Sequence, residues 1–308
     1  MSDSVILAVN VRKKYGETTA LDGLDLVVDR GEIFGIVGPN GAGKTTAMDC
    51  MAGMRRPDSG EIRTLGLDPT VDSQLLRRKV GLQQQESELP ERIRVGEVFK
   101  LFRSLFGIDE PGMDLLEKVG LAEKTDAFFS ELSGGQKRRL FVALAMVHDP
   151  ELIMLDELTS GLDPKGRRDL WSLVKNSKGN GRTVVLSTHY MDEAQKLCDR
   201  VAIMDRGKVV ALGTPDALVR KYCPGLRLRL GCGDDFRPEH AADLEGVLGV
   251  RVRDGTCVMD LEDAGAVVPV IRALSEKGTD LGDLHTEVPT LEDVFMAVTG
   301  KDYGESDG

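Results

Sequence analysis

The stretch Gly38-Pro39-Asn40-Gly41-Ala42-Gly43-Lys44-Thr45-Thr46 constrains this chain more than any other. It follows the apolar run Ile33 to Val37 and precedes a helical pattern, so it reads as a turn carrying a buried strand into a helix. Gly38, Gly43, Lys44 and Thr45 satisfy G-x-x-x-x-G-K-[ST]. Glycines at these places let successive backbone N–H groups curl around phosphate oxygens without Cβ clashes, and a helix N-terminus adds favourable partial charge. Lys44 then offers a point cation to β- and γ-phosphates, and Thr45 a hydroxyl ligand to Mg²⁺. The pattern alone arises by chance in roughly one chain of this size in a hundred; the flanking strand and helix make it specific.

A magnesium ion on a phosphate chain needs a carboxylate. Leu152-Ile153-Met154-Leu155-Asp156-Glu157 has the composition of a buried strand and ends in two acids. Asp156 fits the metal side. Glu157 projects elsewhere, since side chains alternate along a strand, and it is the candidate general base facing the attacking water.

The rest of the chain supports an α/β fold. Residues 1–216 alternate β-branched runs, such as Val184 to Ser187 and Val201 to Met204, with helical patterns, which predicts a mixed sheet covered by helices. From about residue 87 to 150 the periodicity is helical (Val98, Leu101, Phe102, Leu105, then Leu115, Leu116, Val119), with a break at Gly107 to Gly112. This predicts an inserted helical subdomain. Past Gly213-Thr214-Pro215, a short helix near Asp216 to Lys221 leads to Pro224-Gly225 and a second domain, residues 217–308, predicted to be small and α+β. Its alternating runs are Leu226 to Leu230, Val250 to Arg253 and Thr256 to Leu261, with a helix near Val267 to Ser275.

Of the formal net charge of −11, eight units fall in residues 217–308, which carry 10 Lys/Arg against 18 Asp/Glu. That balance opposes nonspecific attraction to nucleic acid, and a solvated face is its simplest use. No apolar run approaches the ~20 residues of a spanning helix. Met1-Ser2-Asp3-Ser4 lacks the basic start of a secretory signal, so a cytoplasmic protein is expected. Five scattered cysteines without a C-x-x-C pair suggest neither a disulfide framework nor a zinc site.

Leu132-Ser133-Gly134-Gly135-Gln136, followed by the basic run Lys137-Arg138-Arg139 and upstream of Asp156, resembles the signature of ABC ATPases. A Ser and two glycines opening a helix can form a second anion-binding nest. The resemblance implies the fold of a P-loop NTPase of the ABC type. It also implies a head-to-tail homodimer in which Ser133, Gly134, Gly135 and Gln136 of one subunit close on the ATP held by the Gly38 to Thr46 loop of the other. By the same resemblance Tyr15, in Lys14-Tyr15-Gly16, stacks on adenine, Asp163 sits at the dimer seam and His189 contacts the γ-phosphate. Any of Gln83, Gln84 and Gln85 could be the glutamine that touches Mg²⁺ or water; Gln85 stands five residues after Val80 and before an acid, and is chosen.

One departure is Leu158, where the family commonly has proline, which implies a less rigid turn after the base. Ser187-Thr188-His189-Tyr190-Met191-Asp192-Glu193-Ala194 and Pro289 to Phe295 resemble the multidrug and antibiotic-resistance exporter branch. That branch implies a separately encoded transmembrane permease of the ABC-2 type and a subunit held at the inner face of the membrane. Leu291, Val294, Phe295 and Val298 read as a packed helix face. An importer subunit, or an ABC ATPase acting in DNA repair, translation or cofactor assembly, are the alternatives.

Overall fold

In the computed structural model the chain opens with an antiparallel hairpin, β1 (Ser4–Tyr15) and β2 (Thr18–Asp29), followed by the buried strand β3 (Ile33–Val37). Residues 3–109, 112–178, 181–232, 236–253, 255–279, 281 and 283–300 are described. After α1 (Lys44–Met51), β4 (Ser59–Thr64) pairs with β1, completing a three-stranded antiparallel sheet ordered β2-β1-β4. Next come α2 (Ser73–Arg77), β5 (Val80–Gln83) and the helical excursion α3 (Val95–Leu105), α4 (Met113–Lys118) and α5 (Gly134–Met146). Residues 110 and 111, within the break expected at Gly107 to Gly112, lie outside the described residues. Strand and helix then alternate through β6 (Leu152–Asp156), α6 (Pro164–Lys178), β7 (Thr183–Thr188), α7 (Met191–Leu197), β8 (Arg200–Asp205) and β9 (Lys208–Gly213).

The larger sheet has the order β5-β6-β7-β3-β8-β9, parallel throughout except for the antiparallel edge strand β9. β3, β6 and β7 are buried at every position, which is why they read as unbroken apolar runs rather than alternating ones. One core joins Phe34, Ile36, Met154 and Val185 of this sheet to Ile6, Val11 and Leu24 of the smaller one, with Ala47, Met48 and Met51 of α1. Fully burying each large apolar side chain contributes about 1.5–3 kcal/mol. That apolar packing fixes α1, and so fixes the turn that feeds it.

Contacts divide the chain between Pro215 and Asp216. The second unit contains α8 (Pro215–Tyr222), β10 (Leu226–Gly231), α9 (Glu239–Ala242), β11 (Val247–Arg253), β12 (Thr256–Leu261), α10 (Val267–Glu276), β13 (His285–Glu287) and α11 (Leu291–Thr299). Its sheet is antiparallel with the order β11-β12-β10-β13. Period-two alternation sends Leu228, Leu230, Cys257, Met259 and Leu261 inward against Val270 and Leu274 of α10. The other set on β10, Arg227 and Arg229, pairs with Asp260 and Glu287. Leu291, Val294 and Phe295 of α11 are buried, and Val298 is half-buried. Among the described residues no helix is long and apolar enough to cross a membrane.

Candidate active site

The carboxyl ends of β3, β6 and β7 lie side by side, because Val37 is in register with Thr188 and Asp156 with Ser187. Ligands of open parallel sheets bind at this edge. The turn after β3 needs its glycines for distinct reasons. A Cβ on Gly38 would come 2.3 Å from the Met204 carbonyl oxygen, and one on Gly43 would come 2.3 Å from that of Ala20. Gly43 also has φ 101° as the residue preceding α1, and Gly41, with open space around it, has φ 78°. The Ala42 N–H donates to the Pro39 carbonyl at 3.2 Å, which tightens the turn around Asn40.

Lys44, only 5% exposed, donates from Nζ to the carbonyls of Gly38 and Pro39 at 2.9 and 3.0 Å, and lies 3.8 Å from Glu157 Oε1. Burial pulls its ammonium below the usual range, while Glu157 and Asp156 pull it back. Asp156, the last residue of β6, is buried; desolvation pushes its carboxyl up, against hydrogen bonds from the Ser187 and Thr45 hydroxyls. Thr45 and Thr46 occupy the first turn of α1.

Glu157 lies outside β6 and has φ 49°, in the left-handed region. Its divergence from Asp156 therefore comes from a backbone turn, not from the strand alternation expected from the sequence. The Glu157 N–H donates to the Ser187 carbonyl at 3.2 Å and the Ser187 hydroxyl at 3.1 Å. Leu158, in place of proline, is fully buried, so core packing anchors the turn that a pyrrolidine ring would have stiffened. His189, just past β7, sets Nδ1 3.1 Å from Glu157 Oε1. Lys44, Thr45, Asp156, Glu157 and His189 thus meet at one edge of the sheet.

Other candidates stand elsewhere. Tyr15, at the end of β1, is 41% exposed with the Arg55 guanidinium 5.2 Å from its ring centre. Gln83 is buried on β5, whereas Gln84 and Gln85 are exposed in the loop that follows. Ser133 and Gln136 form a reciprocal cap on α5: the Gln136 N–H donates to Ser133 Oγ at 3.3 Å, and the Ser133 N–H to Gln136 Oε1 at 2.9 Å. Around Gly134 a Cβ would meet no atom within 4 Å, and the nearest to Gly135 is Leu162 at 3.8 Å. This segment borders a cleft lined by Gln85, Gly134, Arg138, Ser160 and Leu162, and no residue of the Gly38–Thr46 turn lines it. Asp163 caps α6, accepting from the Gly166 N–H at 2.9 Å.

Two residues escaped the sequence reading. Ser187 is visible in sequence only as a small hydroxyl before Thr188-His189, yet it bonds both Asp156 and Glu157. Arg138, noticed only as part of a basic run, donates to the Glu157 carbonyl.

Residues 21–160 match the family model described as ABC transporter. The chain is 36% identical to the daunorubicin resistance ATP-binding protein DrrA3 of Streptomyces coeruleorubidus, over 98% of each chain. It is 34% identical to the Nod factor export ATP-binding protein I of Ralstonia nicotianae, over 98% of this chain and 95% of that one. Among solved structures, the ATP-binding subunit of an ABC transporter aligns with a TM-score of 0.65 and 28% identity, over 71% of this chain and 94% of its own. The protein cbiO1 of Clostridium perfringens, part of an ABC transporter complex, aligns with a TM-score of 0.64 and 29% identity, over 71% and 92%.

Proposed function

We propose that this chain, which belongs to the ABC transporter family of ATP-binding subunits and is an ATPase, powers export through a separate transmembrane permease of the ABC-2 type. The observation that carries the catalytic part is the meeting of Lys44 and His189 on one oxygen of Glu157, with Asp156 next to it. Glu157 takes the proton of the attacking water or orients it. Lys44 leaves its loop carbonyls for the β- and γ-phosphates, and the Gly38–Thr46 backbone wraps them. His189 orients Glu157 and reaches toward the γ-phosphate. Tyr15 offers its exposed ring to adenine, and Gln85 contributes from the loop after β5.

The donors around Asp156 fit magnesium. A carboxylate desolvated by burial and a hydroxyl beside it are hard oxygen ligands. Among the described residues no cluster of three or more His, Cys, Asp or Glu could hold a metal alone, and one carboxylate with a hydroxyl is the sparse protein share that Mg²⁺ takes when waters and phosphate oxygens fill its shell. Asp156 and Thr45 would hold Mg²⁺, which when bound would supply positive charge against that developing on the phosphates.

The Ser133–Gln136 segment, on a cleft apart from the phosphate turn, supports a head-to-tail homodimer in which it closes on the partner subunit's nucleotide. Asp163 stands at that seam. Export, rather than import or a role away from membranes, is favoured by the relatives named for drug resistance and Nod factor export. A permease at the inner face of the membrane, not nucleic acid, is the partner, in keeping with a net charge of −11. The test is Glu157→Gln in the full-length chain: ATP is bound, turnover stops and a nucleotide-locked dimer accumulates on gel filtration. Turnover at the wild-type rate in this variant sinks the reading, and co-purification with ribosomes or DNA instead of a permease sinks the partner.

A further inference from the structure

Glu157 is one of few non-glycine residues with positive φ, at 49°, a conformation that an L side chain keeps only where its surroundings hold it. Its N–H side is held by Ser187 of the neighbouring strand. Its carbonyl side is held from a different part of the molecule. Arg138, in the second turn of α5, donates from Nη2 to the Glu157 carbonyl at 3.1 Å. The same guanidinium donates from Nη1 to the Gln85 carbonyl at 3.2 Å. One planar fork therefore joins the helix opened by Ser133, the loop after β5 and the strained peptide of Glu157.

We propose that Arg138 is a positioning residue for hydrolysis: it holds the Glu157 peptide in the left-handed conformation that aims the carboxylate, and it ties that hold to the loop carrying Gln85. The proposal builds on the reading of Glu157 as the base. Two carbonyls that face one guanidinium on separate nitrogens match the planar fork of arginine; a lysine ammonium, a compact point charge on a flexible stem, does not reproduce that geometry. Displacing either α5 or the Gln85 loop loosens the grip, so the carboxylate is aimed only when both are seated. No contact of Arg138 with the nucleotide is required for this, and its loss is felt in turnover and not in nucleotide affinity.

The test compares Arg138→Met, Arg138→Lys and Glu157→Gln in the full-length chain, by steady-state ATP hydrolysis and by calorimetric affinity for ATP, with thermal melting to establish folding. Arg138→Met is expected to lower kcat at least tenfold with ATP affinity changed less than twofold. Arg138→Lys, the conservative variant that also stands in if the methionine variant does not fold, is expected to fall between it and wild type. If Glu157→Gln retains turnover, the base assignment fails and takes this proposal with it. If Glu157→Gln is inactive while folded Arg138→Met, or Arg138→Lys in its place, keeps kcat within twofold of wild type, the proposal alone is overturned. Parallel losses of kcat and affinity, which mark general damage to the site, overturn it as well.

Discussion

Two of the places where the described residues gather buried charge are built differently. At the sheet edge Asp156 and Glu157 face Lys44 and His189, with the Asp156 carboxyl pushed up by desolvation and Glu157 held in a left-handed backbone. In the second unit Arg227 lies between Asp260 and Asp293; burial pulls the guanidinium down, but the two aspartates hold it above its usual value. There Arg227 and Arg251 together answer the two aspartates in ordinary strand and helix geometry. The first cluster is strained at Glu157, and on the proposed reading it is completed by phosphate and a cation. The second is complete in itself. Buried charge on a strained backbone at the carboxyl edge of a sheet is a candidate for chemistry, whereas buried charge paired within regular elements is architecture.

Substitutions should separate the two clusters cleanly. Glu157→Gln is expected to cut ATP turnover by about 10²–10⁴-fold, the span of general base catalysis, while leaving the melting temperature near that of wild type. A comparable stability loss in that variant would move the first cluster into the architectural class. Arg227→Met, which takes the cation from the buried Asp293 and leaves Asp260 to Arg251, should destabilise the second unit by about 3 kcal/mol without changing ATP turnover per folded molecule; urea unfolding read alongside hydrolysis tests both halves. Ser187→Ala removes one hydrogen bond to the buried Asp156 carboxylate and is expected to cost about 2 kcal/mol of stability, with a further rise in the Asp156 pKa. An unchanged urea midpoint would mean that Asp156 is already held by Thr45 alone.

The smallest effect is chemical. Cys50, Cys198 and Cys257 are buried, and burial pushes the Cys50 and Cys257 thiols up to about 11. Cys223 and Cys232, both in the second unit, are partly exposed. Labelling with a thiol reagent at pH 8 should modify these two first, Cys223 more slowly because burial pushes its thiol up, and the other three only on unfolding. Fast modification of a third thiol would point to local opening of one of the units.

Much of this was legible in the residues. The phosphate turn is local: strand, glycines, lysine and helix start lie within about a dozen positions, although the carbonyls that exclude a side chain at Gly38 and Gly43 belong to Met204 and Ala20. The fold class follows from apolar runs and their periods, down to the alternation Leu226 to Leu230 that sorts Leu228 and Leu230 from Arg227 and Arg229. The orientation of Glu157 was not legible, because period-two reasoning presumes a strand and β6 stops one residue earlier. By resemblance Gln136 belongs to the segment that closes on the partner subunit's ATP, and in the structure its side chain caps α5 through Ser133. Local pattern cannot say which of two compatible uses a polar side chain takes.

By itself the sequence determined the phosphate turn, the buried strands on either side of it and the alternating pattern of the second unit, since each depends on neighbours along the chain. Only the tertiary structure decided who holds the carboxylate proposed as the base. Ser187 is 30 positions from Glu157, and Arg138 is 19 positions away on another element. Strand register and helix packing bring them within hydrogen-bonding distance, and neither is written in the spacing of residues near Glu157. A peptide held at positive φ needs partners on both of its sides, and folding is what assembles them.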